Sequence, residues 1–376
     1  MLKNLKVIEL ASVLAGPSVG QFFAELGADV IKVENLKTGG DVTRSWKTPG
    51  ENTDDRSAYF CSVNWGKKSV AVDLNTTEGK SVVRKLATKS DIVIVSYKPG
   101  DATKLGVAYE QLTSNNPQLI YGQITGYGSD NDRVGYDAVI QAESGFVDLN
   151  GEINGEPVKM PVALIDVLAG HHLKEGLLLA LLHRERTGEG SLVEVSLIQA
   201  AVSSLVNQAS NWLVGKKLPV RQGSAHPNIA PYGESFITKD NKRVLLAVGN
   251  DKQFENLLEV LGIGHEALGS KFITNQLRVE NRTALNILLQ DKIGKMESKF
   301  FLDMANEKKI PAGLIQNVKE VFEMKEANEL LIQAEGLIGV RGFAASSATW
   351  HRHDLMPPPH FGEHTQEVLK MLYSSG

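Results

Sequence analysis

Over the first hundred residues, short apolar runs alternate with segments whose apolar positions recur every three to four residues. The pattern predicts strands at 6–10 and 28–34 with a helix at 17–26 between them. Pro17 falls in the first turn of that helix, where its missing N–H leaves no bond unmade. A loop punctuated by Gly39, Gly40, Pro49 and Gly50 follows. A strand at 68–73, a helix at 77–88 and strands at 91–96 and 119–123 continue the alternation. Strands separated by helical patterns of this length point to βαβ units and a mostly parallel sheet, an α/β fold.

Further on, 135–145 is helical in part, and 151–157 is a turn region. A short apolar run at 162–165 reads as a strand. The strongest helix signal is 167–182, apolar almost all round and therefore expected to be buried. A strand at 192–195 and a helix at 198–213 come next. Near Arg221 the chain turns polar and proline-bearing, then enters a hairpin pattern with Asp240 and Asn241 at its turn. Helical segments at 252–261 and 279–289, with the stretch around 296–306 closing the region, complete a smaller α+β domain at 226–330. The larger domain takes 1–225, and 331–376 follows the smaller one. Within that last segment, 337–350 has no clear period, and a proline loop feeds a helix from His364.

Composition narrows the classes. A chain of 376 residues suits two domains. Its 40 basic and 44 acidic side chains leave a net charge of -4, without the basic footprint of a nucleic-acid binder. One cysteine, Cys61, excludes an internal disulfide framework and a Cys-rich metal site. The opening residues lack a signal-peptide pattern, and no apolar run is long enough to span a membrane. The expectation is a cytoplasmic protein with no membrane or nucleic-acid partner.

Glu34 at the end of the second strand, with Gly16 and Gly20 before it, invites a dinucleotide reading. The three-glycine fingerprint is incomplete, so a packed βαβ unit without that chemistry is preferred. Asp166 lies where an apolar strand meets a buried helix. It reads either as an N-cap or, at the carboxyl end of a parallel strand, as a nucleophile or proton shuttle. His171 and His172 read as core or interface residues. His351, His353, His360 and His364 match no zinc spacing, so no metal is expected. Lys67, Lys68, Lys98 and Lys104 follow turns, where they are either solvated charge or phosphate contacts.

The run "VIELASVLAGPSVGQFFAELGADVIKVE" closely resembles the opening of the class III coenzyme A transferases, of the CaiB/BaiF type. "NWGKKSVAVDL", "VSYKPGDATKLG", "ITGYGSDNDRVGYDAVIQAESG", "PVALIDVLAG", "RTGEGSLVEVSL", "HPNIAPYG" and "PPPHFGEHTQEVL" follow in the family's order. The resemblance implies a large doubly wound, Rossmann-like domain receiving both chain ends, with 331–376 returning to complete it, a smaller domain, and an interlocked homodimer. It implies CoA transfer between an acyl-CoA and a small carboxylic acid, dicarboxylic acids included. CoA and acyl-CoA are then substrates, and no cofactor is tightly bound.

By motif, Asp166 corresponds to the family's catalytic aspartate, which forms an acyl anhydride and then an aspartyl-CoA thioester. Val13, Ala15, Arg44, Lys67, Ser96, Tyr97 and Lys104 resemble the positions that meet CoA. Ser96 replaces a frequent asparagine, and Lys104 replaces an arginine and loses its bidentate fork. Leu14, Trp46, Tyr59 and Tyr136 form the expected acyl pocket, and Asp137 ties down its turn. Leu14 stands where formyl-CoA transferase has a glutamine, and that enzyme's glycine run is absent. The racemase relatives' histidine corresponds to Tyr127, a poor base near neutral pH. An α-methylacyl-CoA racemase-like enzyme, or a CoA-binding protein without catalysis, are the alternatives.

Overall fold

A computed structural model describes residues 2–264 and 270–374. The chain forms two compact units. The first comprises Met1–Ser144, Met160–Val206 and Asn328–Gly376, and the second comprises Gly145–Lys159 and Asn207–Ala327. The smaller unit thus claims a segment near 150 that the sequence pattern leaves in the larger domain.

In the first unit, β1 (Lys6–Leu10), β2 (Asp29–Asn35), β3 (Lys67–Val72), β4 (Ile92–Val95), β5 (Ile120–Thr125) and β6 (Ser191–Ser196) make one sheet. The strand order is β3-β2-β1-β4-β5-β6, and every pairing is parallel. Strands covered on both faces carry continuous apolar runs instead of an alternation, and the IVIV of β4 is buried throughout. Ile8, Val33, Val70, Val83, Leu86, Val93 and Tyr121 belong to its core. The helix Thr365–Tyr373 adds Val368 and Leu372 to the same core. It is fastened to β3 by the Ala71 N–H, which donates to Thr365 Oγ1 at 2.9 Å.

The second unit holds an antiparallel sheet of β7 (Tyr232–Ile237), β8 (Arg243–Ala247) and β9 (Ala312–Leu314). The β7–β8 turn is the one the sequence predicts, with Asn241 left-handed at φ 58°. Helices Asp251–Val260, Arg282–Ile293 and Ser298–Glu307 close over it with Phe254, Leu257, Leu285, Leu289 and Phe301. A hairpin of β10 (Leu331–Ala334) and β11 (Leu337–Val340), in the first unit, occupies part of the tail that shows no clear period.

Three expectations are corrected. Residues 162–165 are not a strand; a helix runs Leu164–Thr187, and its Ile165 N–H donates to Asp137 Oδ1 at 2.7 Å. A short apolar run fits helix or strand equally, and here a side chain distant in sequence caps the helix. That helix is not buried all round. Ile165, Ala169, Leu173, Leu177 and Ala180 form a buried stripe, while Leu178, Leu179 and Leu182 are exposed. The helix expected at 198–213 is broken into Leu197–Ser203 and Asn207–Leu213, with Val206 left-handed at φ 46° between them.

Candidate active site

The order of the sheet reverses between β1 and β4, so the loops leaving them diverge and open a crevice at the strands' carboxyl ends. Two cavities occupy it. The larger, about 570 Å³, has an apolar wall of Val33, Val72, Leu74, Tyr97 and Leu105 and polar groups from the Thr38–Arg44 stretch. The smaller, about 280 Å³, is bordered by Leu14, Ala15, Lys98, Arg133, Tyr136 and Asp166. Ser12, Val42, Ser96 and Tyr97 border both.

Asp166 sits in the first turn of the Leu164–Thr187 helix and is 8% exposed. It is not the N-cap, which is Ala163; the carboxylate that satisfies the helix start belongs to Asp137. Asp137 is held in turn by Gln141 Nε2 at 2.7 Å. Among the described residues the Asp166 carboxylate has no hydrogen-bond partner, and it borders the smaller cavity. Burial, helped by the nearby Asp137 charge, pushes its carboxyl up to about 7. The positive end of the helix dipole favours the anion by about 0.3–2 kcal/mol. A rise from 3.8 to about 7 corresponds to about 4 kcal/mol, so burial wins.

The loop after β1 supplies Val13, Leu14 and Ala15. Val13 is left-handed at φ 72°, a costly conformation for a β-branched residue. Its N–H donates to Asp41 Oδ1 at 3.3 Å, and Asp41 is itself paired with Lys32 at 2.9 Å. Lys32 also meets Glu9 at 2.8 Å, and Glu9 meets Lys67 at 2.7 Å. A buried chain of alternating charge therefore underlies the loop that faces Asp166.

Two of the CoA candidates are held by partners within the fold. Lys67 is fully buried, and its ammonium donates to Pro17 O and Asn64 Oδ1, both at 2.8 Å, besides its Glu9 pair. Burial pushes it down to about 8 against the pull of Glu9. Arg44 grips Glu34 through Nε at 2.9 Å and Nη2 at 2.7 Å, and reaches Pro359 O at 3.1 Å and Asp55 at 3.2 Å. Its guanidinium lies 3.8 Å from the centroid of Phe60. Arg44 borders the larger cavity, but both cations are committed to the interior and stabilise the wall instead of presenting charge.

The other candidates divide. Val13, Leu14, Ala15, Ser96, Tyr97 and Tyr136 border the smaller cavity with Asp166. Lys104 does not; it is exposed and pairs with Asp101 at 3.0 Å. Trp46 and Tyr59 form an edge-to-face pair 5.2 Å apart outside both linings. Tyr59 is held above the usual phenol range by burial and by the Asp166 and Asp137 charges. Tyr127 borders neither cavity, and its hydroxyl donates to Glu143 at 2.8 Å. The tyrosines that share a cavity with Asp166 are Tyr97 and Tyr136. Sequence reasoning did not single out Arg133, although its glycine-flanked loop was a signal. Among the histidines, His360 packs against Asp54 and Asp55, while Asp54 is taken by Arg56 at 2.7 Å.

The fold and site define a Rossmann-like α/β protein with a buried aspartate, unpartnered among the described residues, at its switch-point crevice. The model of CoA-transferase family III matches residues 2–365, and the chain belongs to that family. The succinate–glutarate CoA-transferase of Agrobacterium fabrum is 39% identical over 99% of this chain and 95% of its own length. The human succinyl-CoA:glutarate CoA-transferase is 35% identical over 98% of this chain and 85% of its own. The crystal structure of a CAIB/BAIF family protein from Brucella suis superposes with a TM-score of 0.87 at 39% identity, covering 98% of both chains. The chain is thus a CoA-transferase. Among the described residues, no helix is long and apolar enough to cross a membrane.

Proposed function

We propose that the protein moves CoA from an acyl-CoA to a short organic acid, with dicarboxylic acids as its substrates and Asp166 as the covalent carrier. The observation that carries this reading is the Asp166 carboxylate, buried and unpartnered among the described residues at the edge of a cavity. Such a group keeps its lone pairs for a carbonyl carbon. Relatives named for succinate and glutarate support the choice of diacids.

The Asp166 anion attacks the thioester carbonyl, the C–S bond breaks, and a mixed anhydride and CoA thiolate result. The thiolate then attacks the aspartyl carbonyl, giving an aspartyl-CoA thioester and releasing the donor carboxylate. The acceptor carboxylate displaces the thiolate from Asp166 to form a second anhydride. Thiolate attack on the acceptor's carbonyl yields the new acyl-CoA and regenerates Asp166. No proton is consumed, and the thioester's energy is kept provided water stays out.

CoA's nucleotide end fits the larger cavity, where Val33, Val72, Leu74 and Tyr97 offer an apolar face to the base. Its thioester end fits beside Val13, Ala15, Ser96 and Lys98, and the acyl group beside Leu14 and Tyr136. The working form is an interlocked homodimer. Leu178, Leu179 and Leu182 on one helix, and Trp212, Leu213 and Val214 in the smaller unit, are exposed apolar side chains that a second copy would cover.

The test is hydroxylamine trapping. Incubation with succinyl-CoA and hydroxylamine, followed by peptide mass analysis, should place the modification on Asp166. Asp166→Ala should abolish exchange of labelled glutarate into CoA thioester, a loss of at least 10³-fold in the range expected for a covalent carrier, while still binding CoA. Undiminished exchange by that variant would rule out the assigned nucleophile.

A further inference from the structure

Two of the residues that line the smaller cavity are cationic, Lys98 and Arg133. They stand on different limbs. Lys98 follows β4 beside Ser96 and Tyr97, which border both cavities, so it lies on the side toward the larger one. Arg133 lies in the loop that leads from β5 to Tyr136, which also borders this cavity. Its guanidinium pairs with Glu143 at 2.6 Å and stacks 4.2 Å from the centroid of Tyr127. Glu143 also accepts the Tyr127 hydroxyl at 2.8 Å, so it keeps a partner when Arg133 turns away.

We infer that Arg133 binds the distal carboxylate of the dicarboxylic substrate, exchanging its surface partner Glu143 for the acid's free end while the near end reacts at Asp166. This inference rests on the proposed diacid exchange. A carboxylate held in a cavity needs a cation, and a planar guanidinium receives it with two parallel N–H bonds. The displaced pair is 56% and 39% exposed, so giving it up costs little. Tyr127 covers a face of the guanidinium, whereas the paired bonds that a carboxylate accepts run in its plane. Arg44 and Lys67 are already paired within the fold, which leaves Lys98 as the other cation on this cavity's lining.

The test uses the full-length protein and its Arg133→Gln and Arg133→Lys variants with succinyl-CoA and glutarate. In Arg133→Gln the KM for glutarate should rise roughly tenfold or more, the loss expected for a charge-assisted hydrogen bond. The kcat should stay within a few-fold, competitive inhibition by free CoA should not change, and Arg133→Lys should recover part of the lost affinity. An unchanged glutarate KM in Arg133→Gln overturns the inference. So does an equal weakening of glutarate and free CoA, which would assign Arg133 to the carrier instead of the acid. If the unaltered protein exchanges CoA with butyrate as well as with glutarate, the transferase reading stands and the role of Arg133 falls. Absence of any exchange by the unaltered protein defeats the underlying reading itself.

Discussion

Asp166 is caught between two demands. As a nucleophile it must be an anion, yet burial and Asp137 hold its carboxyl near neutral pH. The kcat/KM for exchange should therefore climb as pH rises through about 7 and level off above it. Asp137→Asn keeps an acceptor for the Ile165 N–H but removes the like charge, so the rise should move to lower pH. Rate profiles from pH 5 to 9 check both. The same shift has a cost in stability. A carboxyl raised in the folded state contributes fully below about pH 4, loses that contribution between about 4 and 7, and is least favourable above 7. Asp166→Asn should therefore stabilise the protein at pH 8 by up to about 4 kcal/mol and leave it unchanged near pH 4, as measured by urea unfolding.

At this scale, residue type and motif made Asp166 legible, but its state was not. Whether the Asp166 carboxylate caps its own helix or is left free depends on Asp137, which lies 28 residues before Ile165 and accepts its N–H. Lys67 and Arg44 look like phosphate ligands from their types. Their partners, Glu9 on β1 and Glu34 on β2, lie in other strands of the sheet, which a linear pattern cannot display. Arg133 was passed over because an arginine in a polar loop resembles ordinary solvated charge until the loop is seen to border a cavity.

Elements place these residues, and their fit is close. The helix that carries Asp166 crosses Ala15–Glu25 at Gly170, where an added Cβ would stand 2.5 Å from Ser18 Oγ and 3.3 Å from Ala15 O. Gly170→Ala should push the helix from the loop that bears Leu14. The expected result is a loss of roughly 1–3 kcal/mol in stability and a larger fall in kcat than in CoA affinity. Thermal melts and steady-state kinetics would separate the two effects. The six strands were readable because each is a compact apolar run bounded by turn residues. The break at Val206 was not, since apolar spacing continues through it and the interruption is a backbone turn. The extra strand assigned at 162–165 failed for the converse reason. Four apolar residues carry no period.

Across the whole molecule, the first unit is built from three stretches of chain, and the last of them matters more than its length suggests. Pro359 offers its carbonyl to Arg44, Gly362 donates to Ser69 Oγ at 2.9 Å, and Val368 and Leu372 complete the core beneath β3. A chain ending at residue 358 should express as an aggregating product with an exposed Val83–Leu86 face, detectable by dye binding and loss of the soluble fraction. The pattern of alternating strands and helices announced this sheet. It could not announce that a segment some 300 residues away seals it, because contact between chain ends leaves no periodic trace.

That seal has a consequence in time. A ribosome delivers residue 5 long before residue 368, so the amino-terminal strands emerge early and wait for their cover. The first unit to begin is the last to finish, and the second unit, whose segments are all synthesised by residue 327, can mature first. The core of the first unit cannot close until Val368 and Leu372 have been synthesised.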